Sequence, residues 1–278
     1  MKKENLFFNK ELSEKKVLIA SHRGVVGGGL IENTIPAFHN ALLHGADIVE
    51  MDVCNSSDGK LFAYHDGYEP FHFQTDKNMK EMTAAEIEEL RFTNRYFVKV
   101  NRGVETFEDS LKFLKGKCLI NVDRRYRDFK SALALVKKLK MEDQVIFKTF
   151  VEAELLTELE DSYPDIMFMP LMGKAKEIEE LEKHDLNYVG CELVFKTVDD
   201  DIVTDENVKY LKNRYGMLWS NPISCEDNLI LTGGKDDNNS LAQGFDVGWG
   251  WLIEKGFNVL QTDWPALLYR YLQQKGLR

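Results

Sequence analysis

Residues 17–53 read VLIASHRGVVGGGLIENTIPAFHNALLHGADIVEMDV, in which two apolar runs flank one amphipathic segment. The run from 17 to 19 predicts a short buried strand, because it is apolar without interruption. His22 and Arg23 follow that run after Ala20 and Ser21. We therefore expect both side chains at the C-terminal mouth of a strand.

A helix and a second strand follow within the same stretch. Thr34 is the predicted start of the helix, since Pro36 falls in its first turn, where proline is tolerated, and Gly45 is the predicted end. Asp47 to Val53 then reads as the next strand. The order of strand, loop, helix and strand is the repeating unit of a parallel α/β fold.

Two acids and a histidine are predicted to converge on the second strand. Glu50 and Asp52 lie two residues apart, so that they face the same side of a strand. Asp58-Gly59 is a strong hairpin turn signal, and pairing back across a two-residue turn places His65 beside Asp52. Paired carboxylates suit a hard cation such as Mg²⁺ or Ca²⁺, and histidines suit proton transfer near neutral pH.

Strand-like and helix-like segments continue to alternate along the chain. Apolar runs predict strands near residues 17–19, 47–53, 118–122, 144–147, 166–169, 187–191, 216–219 and 257–261. Helical patterns lie at 131–139, 152–159, 175–182 and 207–212. Eight such strands predict a TIM-type (β/α)₈ barrel, whose active site lies at the C-terminal strand ends.

We predict that residues 1–278 form one barrel domain with an insertion at about 67–104. The insertion follows the second strand hairpin and predicts a small cap, in which a helix starts at Thr83 and Glu86 completes a capping box. A chain of 278 residues fits one barrel better than two average domains.

Composition narrows the classes of partner. The formal net charge is -10 and no long basic stretch offsets it, which argues against nucleic acid as a partner. No apolar run approaches the length of a membrane span, and Met1 to Lys16 lack the apolar core of a signal peptide, so a cytoplasmic location is expected. Four widely spaced cysteines predict reduced, mostly buried thiols. Oligomeric state is left open.

The chemistry-bearing residues together resemble the glycerophosphodiester phosphodiesterase family. The resemblance rests on His22-Arg23-Gly24, Glu32-Asn33-Thr34, Ala37-Phe38, Gly45-Ala46-Asp47, Glu50-x-Asp52-Val53, Asp58-Gly59 and His65-Asp66. It continues at Asn121-Val122-Asp123, Leu218-Trp219-Ser220-Asn221 and Gln261-Thr262-Asp263-Trp264-Pro265. Membership implies a TIM-type barrel, one divalent cation and hydrolysis of a phosphodiester.

The resemblance also implies a role for each matching position. It makes His22 and His65 the catalytic acid/base pair, Arg23 a phosphate ligand, and Glu50 and Asp52 metal ligands. Asp123 is the third metal ligand by the same resemblance, although the family usually has glutamate there. Arg125 stands where the family has lysine and is predicted to bind substrate phosphate.

Two substrate-binding residues are predicted only from their position near strand ends. Several site residues could instead have a purely structural role. Lys148 and Trp219 are predicted substrate-binding residues because they fall near strand ends. Trp219 could instead pack inside the barrel. Glu50 and Asp52 could pair with Arg23 in a buried salt bridge. The charges of the two arginines that follow Asp123 could neutralise it.

The predicted function is metal-dependent hydrolysis of glycerophosphodiesters to glycerol 3-phosphate and an alcohol, with a small-molecule phosphodiester as partner. Two alternatives stay open. A related lipid phosphodiesterase or lyase would use the same residues and release a cyclic phosphate. A non-catalytic barrel would bind the phosphodiester without turnover.

Overall fold

The computed structural model describes residues 5–123, 129–224 and 229–278. Within these residues the chain forms nine strands: β1 (Leu18–Ser21), β2 (Ile48–Asn55), β3 (Leu61–Ala63), β4 (Leu119–Asp123), β5 (Val145–Phe150), β6 (Met167–Met172), β7 (Cys191–Leu193), β8 (Leu218–Ser220) and β9 (Val259–Thr262). Each of the eight predicted strands is found within a few residues of its predicted position. Only β3 is additional, and it is the return strand of the predicted hairpin.

Eight of the strands close into a parallel barrel. Their order is β1-β9-β8-β7-β6-β5-β4-β2, and β1 pairs in parallel with both β9 and β2. β3 pairs antiparallel with β2 alone. The predicted TIM-type (β/α)₈ fold is therefore confirmed.

Helices surround the barrel and follow most of its strands. In the described ranges they are α1 (Leu6–Glu14), α2 (Ile35–Leu43), α3 (Glu69–Phe73), α4 (Ala84–Glu89), α5 (Phe107–Leu114), α6 (Lys130–Leu139), α7 (Ala153–Ser162), α8 (Glu177–Leu181), α9 (Asp205–Tyr215), α10 (Asp237–Gln243), α11 (Trp251–Lys255) and α12 (Pro265–Gln274). Short 3₁₀ turns lie at Met79–Glu81 and Asp201–Val203, and a π-helical turn lies at Asp246–Gly250.

The apolar core has two layers, one between the strands and the helices and one inside the barrel. The inner layer contains Leu18, Ile48, Leu119 and Trp219, all almost fully buried. Phe8 of α1 joins this layer at 1% exposure, so that α1 closes the N-terminal end of the barrel. An apolar floor therefore supports the polar side chains nearer the C-terminal strand ends.

The hairpin register differs by one residue from the prediction. Asp52 lies opposite Tyr64, whose amide donates to the Asp52 carbonyl at 3.0 Å. The loop has three residues rather than two, because Gly59 takes a left-handed φ of 88° and the Ser56 amide bonds the Lys60 carbonyl. His65 is therefore one position beyond the partner of Asp52.

The segment after the hairpin forms a cap with its own apolar cluster, which includes Phe73, Met79, Ile87 and Phe92. The predicted capping box is confirmed, since the Thr83 amide donates to Glu86 Oε2 at 2.7 Å and the Thr83 hydroxyl accepts from the Glu86 amide. The assignment of residues 1–278 to a single domain stays a prediction.

Two further sequence predictions concern the membrane and the cysteines. Across the described ranges, no helix is both long enough and apolar enough to cross a membrane. Cys54, Cys118 and Cys191 are buried free thiols, as predicted, and Cys225 lies outside the described residues.

Candidate active site

A cavity of about 420 Å³ opens at the C-terminal ends of the barrel strands. Its lining includes most of the residues singled out in the sequence: His22, Arg23, Glu50, Asp52, His65, Asp123 and Lys148. The location agrees with the general placement of active sites in barrels of this type.

Three carboxylates form the acidic side of this cavity. Glu50 and Asp52 share one face of β2, and Asp123 ends β4. The two strands are paired so that Asp52 lies opposite Asp123. Each residue offers one carboxylate oxygen, and these oxygens all lie within 4.8 Å of one another. Alternation along β2 brings Glu50 and Asp52 together, as their spacing indicated. The register between β2 and β4 adds Asp123 to the cluster.

Arg23 compensates part of this negative charge. Its Nε lies 2.8 Å from Asp52 Oδ2 and its Nη1 lies 2.9 Å from Glu32 Oε1. Its backbone amide donates to Glu50 Oε2 at 2.9 Å. The buried salt bridge that was the structural alternative is therefore present between Arg23 and Asp52. Glu50 instead accepts a hydrogen bond from the Arg23 backbone amide.

An unusual loop conformation holds Arg23 in place. Arg23 and Asn33 both take left-handed φ angles, of 53° and 55°, and the Asn33 amide donates to the Arg23 carbonyl at 2.9 Å. The Asn33 side chain donates to Asp52 Oδ2 at 2.9 Å. Gly24 has a φ of 83°, and a Cβ there would lie 2.7 Å from the Ala37 carbonyl carbon, so this position requires glycine.

Lys148 is the second buried cation of the cavity. Its Nζ lies 2.8 Å from Asp123 Oδ2 and 3.2 Å from Glu192 Oε2. Glu192 also accepts from the Asn221 side chain at 2.5 Å, and Asn221 in turn accepts from Trp219 Nε1 at 2.7 Å. A continuous polar network therefore links four barrel strands or strand ends beneath the opening.

His22 is oriented by a carboxylate from the last strand end. Its Nδ1 lies 2.9 Å from Asp263 Oδ1. Burial lowers the pKa of His22, but the hydrogen bond to Asp263 and the charge of Glu50 outweigh burial, so the pKa is raised above its ordinary value. The protonated imidazole is therefore favoured, with Nε2 available for proton transfer.

His65 reaches the cavity although it lies beyond the end of β3. Its Nδ1 lies 2.9 Å from the Asp66 carbonyl oxygen, and its ring meets the ring of Tyr68 edge-on, with the centroids 4.8 Å apart. Tyr68 itself lines the cavity and lies 5.2 Å from the Arg23 guanidinium. The strand has ended at Ala63, so the one-residue register difference does not turn His65 away.

The opposite side of the cavity is apolar. It is formed by side chains from β5, β6 and the segments after β7 and β8: Phe150, Leu171, Val194, Ile223, Leu229 and Leu231. A bound molecule would therefore place an anionic part near the cations and a less polar part against this wall.

The donor set fits a divalent cation. Among the described lining residues, four carboxyl groups, the fourth being Glu192, outnumber the side chains of Arg23 and Lys148. Burial and the charge of Asp52 raise the pKa of Glu50 to about 8. Both amide atoms of Asn121, on the same face of β4 as Asp123, lack a hydrogen-bond partner among the described residues. Clustered carboxylate oxygens and an unsatisfied amide suit a hydrated hard cation.

A family model described as the glycerophosphoryl diester phosphodiesterase family matches residues 22–214, which include the candidate catalytic histidines and the acidic cluster. The chain belongs to this family. A second model, described as a domain of unknown function, matches residues 168–272. The family resemblance of the sequence is thereby confirmed.

Solved phosphodiesterase structures share the fold at low sequence identity. A glycerophosphoryl diester phosphodiesterase from Parabacteroides distasonis has a TM-score of 0.79 and 17% identity, with 96% of this chain and 92% of that chain covered. An Oleispira antarctica phosphodiesterase in complex with the product sn-glycerol-3-phosphate has a TM-score of 0.68 and 16% identity, with 95% and 99% covered.

A curated relative matches over a short segment. Glycerophosphodiester phosphodiesterase GDPD6 of Arabidopsis thaliana is 40% identical over 57 residues, which make up 20% of this chain. The matched segment spans 15% of the Arabidopsis protein's length.

One predicted substrate-binding residue, Trp219, lies below the cavity rather than at its wall. Trp219 is fully buried in the inner apolar layer and does not line the cavity, contrary to the prediction that it contacts substrate. The reason is depth in the barrel, since Asn221, two residues later and just beyond the end of β8, occupies the cavity level. Arg125 lies outside the described residues.

Sequence reasoning gave no role to several residues that hold the site together. Asn33 and Asp263 belong to the family-like motifs, so a signal was present, but their contacts with Asp52 and His22 depend on loop geometry. Asn221 and Gln261 also line the cavity and belong to those motifs, whereas Tyr68 lines the cavity and lies outside them.

Proposed function

We propose that this protein hydrolyses glycerophosphodiesters to glycerol 3-phosphate and an alcohol, with one divalent cation and two histidines. The observation that carries the proposal is the meeting of His22, His65 and a three-carboxylate cluster in a single cavity. Family membership supports the reaction class, and the Oleispira relative in complex with glycerol 3-phosphate supports the product.

Acidic and basic side chains of the cavity would bind the phosphate in different ways, the acids through a cation and the bases directly. Glu50, Asp52 and Asp123 would hold the cation, either Mg²⁺ or Ca²⁺, which would supply positive charge for the phosphate oxygens. Arg23 is fixed by two carboxylates and presents its planar guanidinium at the cavity. Lys148 adds a second positive charge from the other side of Asp123. Arg125 stays a predicted phosphate-binding residue.

The two histidines move the protons. His22 is the proton donor to the leaving alkoxide, because Asp263 and Glu50 favour its protonated form. His65 is the base that deprotonates the nucleophile, which is water or a neighbouring hydroxyl of the substrate glycerol. His65 Nδ1 faces a backbone carbonyl, so Nε2 would be the nitrogen that accepts the proton.

A lipid phosphodiester is the second candidate substrate, favoured by the apolar wall opposite the acidic cluster. If a neighbouring hydroxyl is the nucleophile and no hydrolysis follows, the product is a cyclic phosphate and the protein is a lyase. Product analysis by phosphorus NMR separates the two reactions. The small-molecule partner, the cytoplasmic location and a lack of nucleic-acid binding stay predictions.

Single alanine variants test the assignment. We expect His22→Ala and His65→Ala each to lower kcat for glycerophosphocholine by roughly 100- to 10,000-fold, the usual contribution of a general acid or base. The matched control is His39→Ala, an exposed helix histidine outside the cavity, which should keep wild-type turnover. Circular dichroism checks that all three variants are folded. Wild-type turnover in both cavity variants would contradict the roles, and binding without turnover by the wild type would favour the non-catalytic alternative.

A further inference from the structure

A short hairpin at the edge of the cap ends in an exposed tip. We call residues 95–99 the hairpin tip. An isolated antiparallel bridge joins Thr93 and Lys99, and the Val100 amide donates to the Phe92 carbonyl at 2.8 Å. The Asn94 side chain accepts from the amides of Tyr96 and Val98, at 2.9 and 3.2 Å, which fixes the turn.

The hairpin tip presents three apolar side chains to solvent. Tyr96 is 63% exposed, Phe97 58% and Val98 59%. Phe71, 48% exposed, extends this surface, because its ring meets Phe97 edge-on at 5.8 Å between centroids. Phe97 also takes a left-handed φ of 59°, which is unfavourable for a bulky residue. A strained, exposed aromatic turn contributes little to the core, so its exposure requires another explanation.

The charge of this segment is opposite to that of the whole protein. Residues 91–102 contain four basic residues and no acid, in a chain of net charge -10. Arg102 pairs with Glu105, and Arg91 bonds backbone carbonyls at the end of α4. Arg95 and Lys99 are the first and last residues of the hairpin tip and are exposed. The tip therefore combines aromatic side chains with positive charge.

The hairpin is anchored to the cap beside the candidate active site. Phe92 is fully buried in the cap cluster, and the Thr93 amide bonds the His72 carbonyl of α3 at 2.8 Å. α3 begins directly after Tyr68, which lines the cavity, and Phe71 lies one helical turn beyond it. The hairpin tip is thus connected to the cavity rim through one short helix.

We propose that the hairpin tip docks the protein onto a lipid bilayer that contains anionic headgroups. Aromatic side chains partition to the membrane interface, and flanking basic residues are attracted to anionic lipids. A protein partner fits less well, because a stable protein interface buries about 800 Å² on each side, far more than one narrow turn provides. Docking there would bring the cavity rim to the lipid surface.

Vesicle flotation tests this proposal without any need for turnover. The wild type should bind vesicles of phosphatidylcholine with phosphatidylserine, bind vesicles of phosphatidylcholine alone more weakly, and lose binding at high salt. We expect Tyr96→Ser with Phe97→Asn to lower the partition coefficient roughly tenfold or more, since two inserting rings are removed. Asparagine tolerates the left-handed φ, so this variant should fold.

Two control variants isolate the surface. Leu43→Ser removes an apolar side chain that is 70% exposed at the end of α2, away from the hairpin, and should bind vesicles as the wild type does. Arg95→Gln with Lys99→Gln should weaken binding only to the anionic vesicles, whereas exposed Lys209→Gln should not. None of these residues lines the cavity, so glycerophosphocholine turnover should be unchanged.

Three outcomes would overturn docking: no vesicle binding by the wild type, wild-type binding by the Tyr96/Phe97 variant, or a dimer in sedimentation that this variant abolishes. Failure of the hydrolytic function would appear only in the turnover assay, so the two proposals fail separately.

Discussion

The contact between His22 and Asp263 decides how one imidazole can serve as a proton donor. Asp263 Oδ1 lies 2.9 Å from His22 Nδ1, and the backbone amide of Asp263 is itself held by Asp237 at 3.0 Å. Asp263 does not line the cavity, so it acts through the histidine as a positioning residue. Its effect should therefore appear in the pH dependence of turnover more than in substrate affinity.

Replacing Asp263 with asparagine tests that role. The pKa of His22 is raised in the wild type, so its protonated form persists to higher pH. Without the Asp263 charge the pKa falls, and the pH at which kcat declines on the alkaline side should move down by about one unit. The measurement is the pH profile of kcat for glycerophosphocholine. Asp205→Asn, at a position 94% exposed, is the control. An unchanged alkaline limb in Asp263→Asn would assign the donor role to another group.

For individual residues, the sequence predicted which side chains form the site better than it predicted their exact contacts. Glu50 and Asp52 follow from strand alternation, and His22 from its place after an apolar run. His65 was predicted opposite Asp52, but Gly59 lengthens the turn by one residue and Tyr64 takes that place. Such loop details depend on single left-handed residues, which a pattern of apolar positions does not encode.

The strands of the barrel are joined at their polar level by the Lys148 network. Lys148 of β5 bridges Asp123 of β4 and Glu192 of β7, and Asn221 extends the contact beyond β8. Lys148 and Glu192 are almost fully buried, at 2% and 0%. A buried charge that loses its partner is costly, so the network should matter for stability as well as for substrate.

A double-mutant cycle measures the coupling between these elements. Lys148→Met leaves Glu192 without its cation in the core, and we expect the free energy of unfolding to fall by about 3–5 kcal/mol. Lys148→Met with Glu192→Gln should recover part of the loss, because the buried negative charge is gone. Urea denaturation provides the free energies, and Lys196→Met, at an exposed position, is the control. A Lys148→Met variant as stable as the control would contradict a structural role for the network.

The elements themselves were predictable because buried parallel strands have a strong apolar signature. The eight strand positions and the cap helix at Thr83 follow from local pattern. The depth of side chains inside the barrel was less predictable. Trp219 was expected at the substrate cavity but lies in the apolar layer below it. Its depth depends on how far each strand is staggered in the closed barrel, which is a property of the assembled sheet.

For the molecule as a whole, the balance of charge explains why a cation is expected. The chain carries a net charge of -10, yet its proposed substrate is an anion. Among the described residues that line the cavity, four carboxyl groups outnumber one arginine and one lysine, and an anion would be repelled unless the resulting negative charge were neutralised. One divalent cation at Glu50, Asp52 and Asp123 would neutralise it and make the cavity acceptable to phosphate.

Release of glycerol 3-phosphate from glycerophosphocholine tests the central claim most directly. The wild type is treated with chelator, dialysed, and assayed alone, with Mg²⁺ and with Ca²⁺, beside Asp123→Asn. We predict no release after chelation and recovery with at least one of the two ions. We also predict that the variant needs a higher ion concentration for the same rate. Full release after chelation, or none under any condition from folded protein, would contradict a metal-dependent glycerophosphodiesterase.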